Sequence, residues 1–132
     1  MFGLFLLLGL FLFHLINQFF QSDLGRRLVT GNEVLREFKF SILEDVSNYY
    51  KGISGDSILM QGVIDCALVE DHGITVLDFK TDWITDDNLH EKTALYRDQV
   101  LTYAAALSRI YEKPVIASYI YFFSSEQLVA IE

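Results

Sequence analysis

The fold is decided by residues 58–80, whose sequence is ILMQGVIDCALVEDHGITVLDFK. Two largely apolar runs, Ile58 to Val69 and Ile74 to Lys80, are separated by the polar tetrapeptide Glu70-Asp71-His72-Gly73. A short polar segment that ends in glycine is typical of the tight connection between two antiparallel strands. The stretch therefore predicts a β-hairpin at the centre of the chain.

Further elements are predicted on both sides of this hairpin. Upstream lie a helix from Leu15 to Leu28 that closes with Gly25, Arg26 and Arg27, a strand from Val34 to Leu43, and a loop from Glu44 to Asp56. Downstream lie a polar loop from Thr81 to Asn88, a helix from Leu89 to Tyr111 stopped by Pro114, and strands from Val115 to Phe123 and from Leu128 to Ile131. This order predicts an α/β fold: a mixed sheet, with an antiparallel three-strand meander plus further strands, flanked by helices.

The composition limits both the size and the partners of the protein. The 132 residues are 52% hydrophobic and carry a net charge of −8, so one folded domain is expected. A free-standing DNA-binding domain is usually basic, and the acidity counts against that class but not against a metal site. The single cysteine, Cys66, excludes an internal disulfide and a cysteine-held iron–sulfur cluster within this chain, and fits a reducing, cytoplasmic setting.

The first residues form a separate apolar segment. Met1 to Ile16 is interrupted only by two glycines and His14, and it is shorter than the roughly 20 apolar residues that cross a membrane. It has no basic start or small-residue cleavage site. We expect residues 1–14 to be a buried helix or sequence exposed by truncation of a longer protein, with a membrane anchor or a signal peptide as the alternatives, and residues 15–132 to form the domain.

Two neighbouring strands carry the residues with the clearest chemistry. Side chains alternate along a strand, so Asp78 and Lys80 are expected on one face. The hairpin would set Asp65 opposite Asp78, and two carboxylates this close repel unless a cation such as Mg²⁺ lies between them. Gly62 would allow a close backbone approach or a bulge just before Asp65. The alternative is a local ion pair with Lys80 and no metal.

Two other elements offer candidate residues. In the long helix, an apolar stripe is predicted from Tyr96, Val100, Tyr103, Leu107 and Ile110. Gln99 and Tyr103 lie four positions apart on one face of that helix, where both can hydrogen-bond a phosphate or a water. Glu37 lies in the first strand of the meander and faces the same site if the register is as expected.

Five segments of the chain follow one another in a specific order. They are Phe19-Phe20-x-Ser22-x-Leu24-Gly25, Arg36-Glu37-x-x-Phe40, Gln61-Gly62-Val63-Ile64-Asp65-Cys66, Val76-Leu77-Asp78-Phe79-Lys80-Thr81-Asp82, and Tyr96-x-x-Gln99-x-x-x-Tyr103 followed by Ala104, Ala105 and Leu107. Together they resemble the RecB-like branch of the PD-(D/E)xK nuclease superfamily, and within it the C-terminal nuclease domains of AddA-type helicase/nucleases. The fold this implies is of the restriction-endonuclease type.

The resemblance implies a role for each matched residue. Asp65 and Asp78 would hold Mg²⁺ or Mn²⁺, with Glu37 as an additional acidic residue near the metal. Lys80 would orient or activate the attacking water and stabilise the charge that develops on the phosphate. Gln99 and Tyr103 would position DNA or water.

The resemblance also implies a function. It is that of a Mg²⁺- or Mn²⁺-dependent deoxyribonuclease of the exonuclease type, coupled to a helicase in double-strand break repair and recombination. No G-x-x-x-x-G-K-[S/T] segment is present for ATP hydrolysis. We therefore expect the C-terminal fragment of a larger bacterial helicase/nuclease, whose missing helicase portion would feed it single-stranded DNA ends beside an AddB-type protein. The alternatives are a non-catalytic assembly or DNA-binding module and a membrane-tethered protein.

Overall fold

The computed structural model describes residues 17–30 and 33–132. Residues 17–21 are helical. The elements that follow are α1 (Asp23–Thr30), β1 (Glu33–Asp45), a 3₁₀ turn (Val46–Asn48), β2 (Ser57–Glu70), β3 (Gly73–Lys80), α2 (Leu89–Tyr111), β4 (Val115–Phe122) and β5 (Gln127–Ala130). The apolar segment 1–14 and His14 lie outside the described residues, as does the predicted helix start at Leu15. No helix in the described part of the chain is long and apolar enough to cross a membrane.

The five strands form one mixed sheet in the order β1-β2-β3-β4-β5. Strands β1, β2 and β3 pair antiparallel as a meander, β4 lies parallel to β3, and β5 returns antiparallel to β4. The parallel pair is possible because α2 carries the chain back across the sheet between β3 and β4. The predicted α/β mixed sheet with flanking helices is confirmed, and the bounds of α2 are those predicted.

Helices cover the two faces of the sheet. On one face, Val100 and Leu107 of α2 pack with Val76, Ile120 and Phe122. A smaller core lies on the other face, where Phe19 and the leucines of α1 pack against the sheet. Its buried residues are Phe19, Leu24, Leu28, Cys66, Leu68, Leu77, Tyr121 and Phe123. The chemistry-bearing ends of β2 and β3 therefore lie between two packed layers.

Two details of the predicted helices are wrong. The stripe of α2 does not include Ile110, which is 42% exposed, because the buried surface turns toward Ala104 and Ala106. The first helix is broken at Ser22 and continues through Gly25 to Thr30. Gly25 is not a helix end: a Cβ there would lie 2.2 Å from the carbonyl oxygen of Phe19, so glycine is required by the sharp junction.

The junction at Gly25 gives a stability prediction. Gly25→Ala should lower the free energy of unfolding by about 1–3 kcal/mol, because the new methyl group meets backbone that cannot move aside without shifting Phe19 out of its core. Urea unfolding followed by circular dichroism measures this. The exposed neighbour Arg26→Ala should change it by less than about 0.5 kcal/mol, and equal effects of the two changes would contradict the assignment.

Candidate functional site

The site begins where β2 and β3 separate. Their pairing ends at Cys66 and Leu77, so Asp65 and Asp78 are the next residues beyond the last pair. The Oδ2 atom of Asp65 accepts a hydrogen bond from the backbone N–H of Phe79 at 2.9 Å. The carboxylate thus replaces the missing strand partner and is fixed in the gap between the two strands.

The same point interrupts the side-chain alternation of β1 and β2. Leu35 and Phe38 of β1 both face α2, although regular alternation would put residues three apart on opposite faces. The same holds for Ile64 and Ala67 of β2. Both strands therefore carry one extra residue at this point, and the paired register continues on either side. A bulge of this kind redirects side chains, and here it turns Asp65 toward the gap.

Asp78 is almost fully buried. Its side chain lies on the α2 face of β3, and the residue is 6% exposed. The Oδ2 atom forms an ion pair with the Lys80 ammonium at 2.9 Å, and no other described residue donates a hydrogen bond to it. Burial raises the pKa of Asp78 to about 6; Lys80 lowers it and the nearby Asp65 raises it.

Lys80 is held among polar and aromatic groups. Its Nζ lies 4.3 Å from the centre of the Tyr96 ring and makes a long hydrogen bond of 3.5 Å to Gln99 Oε1. Burial lowers the pKa of this ammonium, but the Asp78 carboxylate outweighs that effect and the pKa lies above its ordinary value. Lys80 is therefore a permanent positive charge at neutral pH.

Helix α2 brings Gln99 and Tyr103 to the same place. Gln99 Nε2 donates to the Tyr103 hydroxyl at 3.1 Å, and the Tyr103 ring packs edge-on against Phe40. Gly62 makes this possible, since a Cβ there would come within 2.6 Å of Tyr103 and 2.7 Å of Phe40. The close approach predicted at Gly62 is thus an approach of aromatic rings, and the bulge lies at Asp65 instead.

Glu37 stands apart from this group. It is exposed, and its backbone has φ 47°, an unfavourable left-handed conformation for a residue other than glycine. It borders a cavity of about 580 Å³, on the α1 side of the sheet, that is also lined by Phe20, Leu28, Arg36, Asp65, Cys66 and Phe79. Over residues 17–30 and 33–132, no three acidic, histidine or cysteine side chains converge as a ready-made metal cluster.

Two contributors to the site are not identified by the sequence patterns. Tyr96 fits the apolar stripe, yet its ring lies beneath Lys80 and its hydroxyl donates to Asp82 at 2.9 Å. Asp82 also pairs with Lys92 at 3.3 Å. The spacing of Tyr96 from Gln99, three residues on a helix, is the available signal that both belong to one polar face.

The donor set at the split suits a hard divalent cation. Asp78 presents a buried oxygen whose partner among the described residues is the Lys80 ammonium, and a second carboxylate, that of Asp65, lies nearby. Oxygen ligands of this kind are those that Mg²⁺ and Mn²⁺ prefer, and Mg²⁺ usually keeps several waters rather than an all-protein cage. A pair of carboxylates is therefore compatible with a metal site whose remaining ligands would be substrate and water.

A mixed sheet with an aspartate at the split of two strands and Asp78-x-Lys80 on the next strand is the architecture of a restriction-endonuclease-like nuclease domain. The model of the PD-(D/E)XK nuclease superfamily matches residues 12–130, and the chain belongs to that superfamily. Its members generally use divalent metal ions.

Two curated relatives match most of this chain and share one name. The A subunit of the ATP-dependent helicase/nuclease from Oceanobacillus iheyensis is 36% identical over 123 residues, which cover 88% of this chain and 10% of that protein. The protein of the same name from Bacillus cereus is 40% identical over 124 residues, covering 86% and 10%. The chain thus spans about one tenth of the length of these relatives, and the predicted similarity to AddA, which is this A-type protein, is confirmed.

The buried carboxylate predicts a pH-dependent stability. With a pKa of about 6 in the folded state and 3.8 as its ordinary value, Asp78 binds more protons when folded, so the metal-free protein should lose about 1–3 kcal/mol of unfolding free energy as pH rises through this interval. Asp78→Asn should remove that fall. Urea unfolding in EDTA across the interval measures it.

The exposed Asp86→Asn is the matched control, because it makes the same chemical change on the surface loop. It should keep the wild-type decline. A decline that persists unchanged in Asp78→Asn would mean that another group causes it.

Proposed function

We propose that the domain formed by residues 15–132 is a Mg²⁺- or Mn²⁺-dependent deoxyribonuclease that hydrolyses phosphodiester bonds. The observation that carries the proposal is the buried Asp78 carboxylate, which lies beside the carboxylate of Asp65 and 2.9 Å from the charged Lys80. Two carboxylates next to one ammonium leave part of their negative charge uncompensated, which is unfavourable in a fold unless the carboxylates are used. A metal-dependent reaction on an anionic substrate would use these carboxylates to bind the cation.

The acidic residues and Lys80 would have different roles in this reaction. Asp65 and Asp78 would hold the cation, with Glu37 as an additional acidic residue near it, on the cavity that Asp65 also lines. When bound, the cation would polarise the phosphate and lower the pKa of the attacking water. Because its pKa lies above the ordinary value, Lys80 keeps its proton and stabilises the negative charge that develops on the phosphate oxygens.

Helix α2 supplies the orientation of the site. Gln99 accepts from Lys80 and donates to Tyr103, so its amide links the lysine to the helix. We propose that Gln99 and Tyr103 position the DNA or the attacking water through these same groups.

The relatives suggest the cellular setting. Their name, ATP-dependent helicase/nuclease, joins a helicase with a nuclease. We propose that this domain acts as an exonuclease on single-stranded ends delivered by such a helicase, in double-strand break repair and recombination in the bacterial cytoplasm, with an AddB-type protein as partner. The net charge of −8 weakens binding to DNA from solution and is consistent with a partner that delivers the substrate.

Cleavage of end-labelled single-stranded DNA tests the proposal. Mg²⁺ or Mn²⁺ should support cleavage, EDTA should abolish it, and Lys80→Ala should reduce the rate about 100-fold or more, because the positive charge next to the phosphate is lost. Lys51→Ala removes the same charge from an exposed loop and should leave the rate unchanged.

Mn²⁺ binding, measured by calorimetry, separates the remaining outcomes. Binding that is lost in Asp65→Asn and Asp78→Asn, without cleavage, would mean a competent metal site that requires the helicase. Neither binding nor cleavage would refute the catalytic proposal and leave a non-catalytic assembly or DNA-binding module as the better explanation.

A second substitution tests the role of α2. Tyr103→Phe removes the hydroxyl that accepts from Gln99 and should lower kcat about 3- to 10-fold, corresponding to one hydrogen bond. Tyr111→Phe makes the same change near the other end of the helix, where the ring packs on Phe38, and should have no such effect. Equal kcat values for the two variants would rule out an orienting role for the Tyr103 hydroxyl.

A further inference from the structure

The loop after β3 has a firmly held backbone. The Ser124 hydroxyl donates to the Asp82 carbonyl at 2.7 Å and accepts from the Ile84 N–H at 3.1 Å. Asn88 adds two bonds: its Oδ1 accepts from the Thr85 N–H, and its Nδ2 donates to the Trp83 carbonyl. The Ile84 side chain is buried in the α2-side core. Both neighbours of Trp83 are thus fixed from the sheet side.

The side chain of Trp83 contributes little to this packing. It is 71% exposed, the highest exposure among the large hydrophobic residues of the described chain. Leaving an indole in water forgoes a large gain from burial. A rigid backbone that presents an exposed indole is therefore suited to binding something outside the domain.

Trp83 is also tied to the proposed catalytic centre. It directly follows Asp82, whose carboxylate accepts a hydrogen bond from the Tyr96 hydroxyl. The Tyr96 ring in turn lies beneath the Lys80 ammonium. The residue next to Trp83 in the chain is thus connected to Lys80 through Tyr96. Trp83 also follows Lys80 by only three residues, so the loop that carries it begins directly at the proposed catalytic centre.

We propose that Trp83 stacks on a base of single-stranded DNA next to the phosphate that is cleaved. This inference rests on the proposed function and adds a substrate-binding residue to it. The acidic residues of the same loop, Asp86 and Asp87, disfavour a phosphate contact there. An uncharged aromatic face is what binds a base instead, whatever its sequence.

The protein carries its own reporter for this contact, because Trp83 is its single tryptophan. Intrinsic fluorescence is followed in EDTA, at low ionic strength, while oligothymidylate is added. An abasic strand of the same length supplies the same phosphates without bases. Oligothymidylate should quench the emission and the abasic strand should not.

Variants measure how much stacking contributes. With fluorescently labelled DNA, Trp83→Leu should bind roughly 5- to 100-fold more weakly than wild type and Trp83→Phe should retain most of the affinity, since only phenylalanine keeps an aromatic face. The ratio should not vary with salt, because no counterion is released by stacking. Thermal unfolding of both variants should match wild type, since the side chain is exposed.

Several results would overturn the inference. These are equal quenching by the two strands, unaltered fluorescence, no binding to either strand, or wild-type affinity in Trp83→Leu. Wild-type affinity in Trp83→Leu would indicate instead that the indole binds a protein partner. Because binding is measured in EDTA, these outcomes do not depend on cleavage. In an active protein, Trp83→Leu should raise KM at unchanged kcat, whereas Lys80→Ala lowers kcat.

Discussion

The structure is organised around a pair of carboxylates placed side by side, one of them in a nearly dry position. Asp78 is held there because β3 is paired with β2 up to Leu77, and its parallel pairing with β4 continues through Asp78 to Lys80. Lys80 offsets the charge only in part, since the pKa of Asp78 remains raised to about 6. The fold accepts an electrostatic penalty at this point, and a divalent cation is the species that would relieve it.

The surrounding geometry serves the same pair. The ladder between β2 and β3 stops one residue before the aspartates, and the side chain of Asp65 takes over as acceptor for Phe79. Helix α2 lies close to the meander because Gly62 leaves room for the Tyr103 ring. Gln99 is thereby brought to Lys80 from a distant part of the sequence.

The sequence predicted most of the fold because its signals were local. Alternating apolar residues and a polar turn identify the central hairpin, and the helical period with Pro114 after it identifies α2. The common face of Asp78 and Lys80 follows from the same alternation. The shift at Glu37 and Asp65 could not be predicted in this way, because a matched extra residue in each strand leaves their register unchanged.

Other differences depend on tertiary contacts. Ile110 fits the helical period, but the buried face of α2 runs through Ala104, Ala106 and Leu107, and Ile110 stays exposed. A glycine followed by two arginines is typical of a helix end, but Gly25 lies inside α1. Its missing side chain lets α1 approach the backbone of Phe19. Tyr96 is apolar by pattern, and only the position of Lys80 in space shows its second contact.

The left-handed residue Glu37 has a further consequence for the behaviour of the chain in solution. Among the described strands, β1 is an outer one, with 13 residues and one unpaired side. A regular strand of that length is a template on which other chains can add by backbone pairing. The irregularity at Glu37 divides this edge into two short pieces and places charged residues, Arg36 to Lys39, around the break. The same bend that turns Asp65 toward the gap thus also protects the domain from intermolecular sheet growth.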